Sequence, residues 1–99
     1  MLDIQEEKNG GILTVKPEGQ LDTLSSETLE SFLDERYDEA QQIIFDLSGV
    51  DYIASAGLRV IIQAYKHMEE KDGILLRNVS DSVKDVLEVT GYIHILKIE

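Results

Sequence analysis

Ser55 lies where a buried-looking run, IIFDLSGVDYI, gives way to an amphipathic one, LRVIIQAYK. A serine hydroxyl can attack a substrate, cap a helix or accept a phosphoryl group. Attack needs an activating base, and the sequence around Ser55 supplies none; the GxSxG elbow is also missing. A phosphate at a helix start would be met by amide groups that have no intrahelical partner and by the positive end of the helix dipole. Ala56 and Gly57 are small and would leave the serine open to another protein's cleft. The alternative is that Ser55 is simply the helix N-cap, and residue chemistry leaves both open.

Other candidates are weaker. His67 and His94 are far apart; His67 follows Lys66 on a helix, and His94 alternates with Ile93 and Ile95, so both are expected to face solvent. Without cysteine, an HExxH pattern or clustered ligand spacing, no metal site and no cofactor is expected. Glu6-Glu7 and Glu69-Glu70 read as solvated faces, because acid–base catalysis needs partial burial and a shifted pKa. Asp22 and Asp46 differ, since each ends an apolar stretch where the loops of an α/β fold converge. They are candidates for shaping a site or for turn and cap hydrogen bonds. GxGxxG and GxxxxGK loops do not occur. An enzyme is therefore not expected.

These residues must be held by a single domain, 1–99, since 99 residues with 42% apolar content build one core and not two. No apolar run reaches the roughly 18 residues of a membrane helix, and the first residues lack the pattern of a signal peptide. The absence of cysteine suits a cytoplasmic location. With 20 acidic and 9 basic residues the net charge is −11, which repels phosphate backbones and anionic lipid, so direct nucleic-acid binding and membrane insertion are not expected.

The elements follow from periodicity. Leu2 to Glu7 reads as a first strand, Asn9-Gly10-Gly11 as a hairpin turn with asparagine and glycine at positive φ, and Ile12 to Lys16 as the second strand, with Pro17 ending its pairing. Ser25 or Ser26 would cap a helix carrying Leu29, Phe32 and Leu33. Ile43 to Leu47 reads as a central strand covered on both faces. Leu58, Ile61, Ile62, Tyr65 and Met68 predict a helix from about Ser55 to Glu70, stopped by Asp72-Gly73. Ile74 to Leu76 is a short strand. Ser80 or Ser82, the latter with capping-box spacing to Asp85, opens a third helix that Gly91 ends. Ile93 to Ile98 supplies a last strand or edge. The expected fold is α/β: an order β-β-α-β-α-β-α-β, a mixed, mostly parallel sheet with an opening hairpin, and helices mainly on one face.

Three blocks resemble the STAS domain, the fold shared by sulfate-transporter tails and anti-sigma factor antagonists. The first runs Asp46-Leu47-Ser48-Gly49-Val50, Tyr52-Ile53, then Ala54-Ser55-Ala56-Gly57-Leu58. The second is EGQLD, Glu18 to Asp22, and the third is VLEVTGYIHILKI. The chain is similar to the stand-alone bacterial antagonists. That resemblance implies an anti-sigma factor antagonist that binds an anti-sigma factor with serine kinase activity and releases a sigma factor. Binding would be switched off when Ser55 is phosphorylated and restored by a phosphatase. It also implies a partner-binding set of Asp22, Asp46, Ser55, Ala56, Gly57, Leu58 and Arg59, with Leu58 half-packed. Many members carry an acidic residue before the phosphoserine, where this chain has Ala54. The alternative is a constitutive scaffold subunit of a transport or signalling complex, with Ser55 structural. Oligomeric state stays open, a monomer being the simplest expectation.

Overall fold

The structure, a computed structural model, describes residues 2–99. Strands β1 (Asp3–Asn9) and β2 (Ile12–Glu18) form the opening hairpin, closed by the pair Asn9 and Ile12. Gly10 and Gly11 lie between them at φ 58° and 87°. Both central positions of this two-residue turn need left-handed backbone, which glycine adopts without a Cβ penalty. The glycines therefore take the whole turn, and Asn9 stays in the strand. Pro17 stops pairing on one side only: it still opposes Ile4 of β1, whereas parallel pairing with β3 (Gln42–Asp46) has ended at Val15.

The sheet order is β1-β2-β3-β4, with β4 at Ile74–Arg77. The first pair is antiparallel and the other two are parallel, so the mixed sheet is as expected. Register aligns Leu13, Ile43 and Ile74, and then Val15, Phe45 and Leu76, on one face. That face joins a single core with Leu29 and Leu33 of α1 (Thr23–Asp34), Leu58, Ile61 and Ala64 of α2 (Ser55–His67), and Val83 and Leu87 of α3 (Asp81–Thr90). The helices thus cover one face. Ile44 points to the other, between Thr14 and Leu75, and is 8% exposed, so β3 is buried on both faces, as expected, although these helices lie on one.

Helix boundaries also differ. The N-cap of α1 is Asp22, not Ser25 or Ser26. Helix α2 ends at His67, and Gly73 (φ 83°) turns the chain into β4. Ser80 caps α3 through a 3.2 Å bond from the Val83 amide, while Ser82 lies inside that helix. Gly91 ends α3 in the left-handed region, as expected. The closing strand is replaced by a 3-10 turn, Tyr92–His94, and one parallel bridge, Leu76 to Ile98. Tyr92 and Ile93 pack against the core in that turn, which leaves only the last residues extended beside β4.

Candidate functional site

The site is built where EGQLD meets the loop before α2. The Gly19 amide donates to the Gly49 carbonyl, the Leu21 amide to Tyr52, and the Ala54 amide to Leu21, at 3.0, 3.0 and 2.8 Å. Leu21 and Ile53 form a parallel bridge and are both buried. This double track brings the starts of α1 and α2 to one edge of the domain. Two of the sequence blocks, separate along the chain, are thereby joined in space.

Gly57 is fitted to this track. A Cβ there would sit 2.9 Å from Leu21 Cβ, 3.0 Å from Ile53 Cγ1 and 3.1 Å from the Leu21 carbonyl oxygen. Helix α2 can approach Leu21 only because position 57 has no side chain. Gly57 and Leu58 are both buried, so neither offers a surface to a partner; the expected half-packed Leu58 is 5% exposed. The smallness of Gly57 serves interior packing and not an open cleft.

Ser55 is exposed at the first position of α2. The N-cap is Ala54, which has no capping side chain, so the N-cap alternative for Ser55 does not hold. Its hydroxyl takes part in no side-chain hydrogen bond among the described residues. Ala56 is half-buried beside it, and Arg59, one turn on, is exposed.

Asp22 lies next to this edge but has local work. Its Oδ1 accepts from the Ser25 amide at 2.9 Å, and its own amide donates to Ser25 Oγ at 2.9 Å. The Ser25 amide, and with it the Ser25 hydroxyl, which also donates to Oδ1 at 2.9 Å, hold the Asp22 carboxyl below its ordinary value. Asp46 alternates with the core-facing Phe45, so it belongs to the open face of the sheet. Its Oδ1 accepts from Ser48 N and Asn78 Nδ2, each at 3.1 Å. Partial burial pushes the Asp46 carboxyl up, but the bonds from Asn78 and Ser48 outweigh it and hold the group below its ordinary value. Neither carboxylate bonds to Ser55. Asn78 was not singled out in the sequence; the available sign was asparagine itself, a residue that tolerates the left-handed backbone it adopts here (φ 57°).

Two exposed apolar side chains were also missed. Leu24, in the first turn of α1, is 78% exposed, and Tyr52, just before the Ile53 bridge, is 50% exposed. Both stand on elements that the track holds beside Ser55. His94 is exposed, as expected; His67 is exposed too, and its ring stacks on Tyr37 at 4.1 Å between centroids. Among the described residues no three His, Asp or Glu are grouped to hold a metal ion, and no helix is long and apolar enough to cross a membrane.

The architecture is thus a one-sided α/β sheet with an unbonded serine at the start of α2. The chain matches the STAS domain family over residues 3–99 and belongs to it. It is 30% identical to the "Putative anti-sigma factor antagonist BtrV" of Bordetella bronchiseptica, over 93% of this chain and 81% of that protein. It is also 30% identical to the anti-sigma F factor antagonist of Paenibacillus polymyxa, over 98% and 86%. The Bacillus cell fate determinant SpoIIAA in its phosphorylated form shares the fold, with TM-score 0.77 and 17% identity over 98% of this chain and 91% of that one.

Proposed function

We propose that this chain is an anti-sigma factor antagonist whose docking is switched by phosphorylation of Ser55. The observation that carries the reading is the exposed Ser55 hydroxyl, unbonded at the first position of α2 with Ala54 as the cap. Two relatives named as anti-sigma factor antagonists support it. Unmodified, the edge formed by Ser55, Ala56 and Arg59, with Asp22 beside it, docks on an anti-sigma factor that is also a serine kinase. The sigma factor is then released. Phosphorylation adds about −1.5 to −2 charges at the centre of that contact. The phosphate stands at a helix start, where the amide groups and dipole accept negative charge, so the fold persists.

The contact does not persist. Desolvating a phosphate inside the contact costs on the order of several kcal/mol, and roughly 1.4 kcal/mol is a tenfold loss of affinity. A phosphatase resets the switch. The test is a kinase assay with the cognate anti-sigma factor and ATP, read by intact mass and peptide mapping. The expected product carries one phosphate on Ser55. Binding with no mass gain would contradict the switch and favour a constitutive scaffold, consistent with Ala54 in place of an acidic residue.

A further inference from the structure

Arg59 is the cation the fold leaves free beside Ser55. It is the sole lysine or arginine between Arg36 and Lys66. The other two arginines are engaged: Arg36 pairs with Glu6 at 2.7 Å and Arg77 with Glu99 at 2.7 Å. Arg59 is exposed and forms no salt bridge among the described residues. It follows Ser55 by four residues within α2, which puts the two on one helix face with Cβ atoms about 5–6 Å apart. The order is the favourable one, with the anion N-terminal to the cation, and long helical side chains lean back over the preceding turn.

From this juxtaposition we infer that Arg59 is the internal counter-ion of the modified serine, closing on the Ser55 phosphate as a bidentate guanidinium–phosphate pair. The inference rests on the reading of Ser55 as the modified residue. Its consequence is regulatory. In the unmodified protein Arg59 is a free cation on a surface of net charge −11, available to a carboxylate of the partner. Phosphorylation then acts twice: it adds an anion, and it draws off a cation that the partner would otherwise meet. The planar guanidinium meets two phosphate oxygens with a rigid fork of parallel N–H donors, which an ammonium does not present.

The test uses full-length protein with phosphoserine installed at position 55 during synthesis, so that it does not depend on any kinase. The second phosphate pKa is followed by phosphorus NMR in the parent, Arg59→Lys and Arg59→Gln proteins. An ion pair favours the dianion and lowers this pKa from its usual value of about 6. Arg59→Gln is expected to raise it by about 0.2–0.4 unit at low salt, with Arg59→Lys between. Circular dichroism checks that all three are folded. Equal phosphate pKa values in the three proteins would overturn the inference while leaving phosphorylation itself untouched; failure of the kinase assay would do the reverse.

Discussion

Replacing Gly57 with alanine would drive a methyl group against Leu21 and Ile53, with the Leu21 carbonyl 3.1 Å away and unable to yield cheaply. The expected cost is about 1–3 kcal/mol, as for other overpacked interiors. Denaturant midpoints of Gly57→Ala and parent check it, and an unchanged midpoint would mean that α2 is not seated on Leu21 as described. Asp22 and Asp46 make a second residue-scale prediction. Both carboxyls are held below the ordinary value of 3.8. A group depressed in the fold stabilises above its unfolded pKa, and that stabilisation is lost as pH falls through the folded value. Stability is thus expected to drop below about pH 4, and D22N/D46N to flatten that acid limb. Melting temperature against pH reads the outcome; identical limbs would contradict it. Asparagine keeps the cap at position 22, so the comparison isolates charge. The sequence marked both aspartates without showing whether a site or a cap claims them. That depended on Ser25 for one and on Asn78, across two strands, for the other.

Helices α1 and α3 begin with the same device and were unequally legible. Ser80 was expected as a cap and serves as one; Ser80→Ala is expected to cost about 1 kcal/mol, measured by thermal unfolding. At α1, Ser25 and Ser26 had the right chemistry for a cap, yet Asp22 holds the position: its carboxylate accepts from the Ser25 amide, and Ser25 Oγ accepts from the Asp22 amide in return. A serine in the returning place is a weaker signature than glutamate or glutamine, so the box was hidden in the sequence. The hairpin, the two inner strands and α2 were legible because their periodicities are long and their glycines fall at forced turns. The closing segment was not. Its alternating isoleucines suit a strand, and a 3-10 turn buries Tyr92 and Ile93 in part as well. Only tertiary packing after Gly91 decides between them.

At the scale of the whole molecule, charge and one-sidedness dominate. A net charge of −11 on 99 residues opposes compaction through self-repulsion, and added salt screens it. Moderate sodium chloride is therefore expected to raise the melting temperature, whereas a flat or falling dependence would show that local ion pairs outweigh the repulsion. With helices on one face and the starts of α1 and α2 at one edge, the domain leaves Ser55 and Arg59 of α2, Leu24 of α1 and Tyr52 of the loop before α2 exposed. The exposure of Leu24 and Tyr52 and the burial of Gly57 and Leu58 emerged only from the packing. The most direct measurement is calorimetric affinity for the cognate anti-sigma factor, comparing parent protein with the form phosphorylated at Ser55. Tight binding is expected for the first and a loss of at least about a hundredfold for the second; equal affinities would contradict a switch at Ser55.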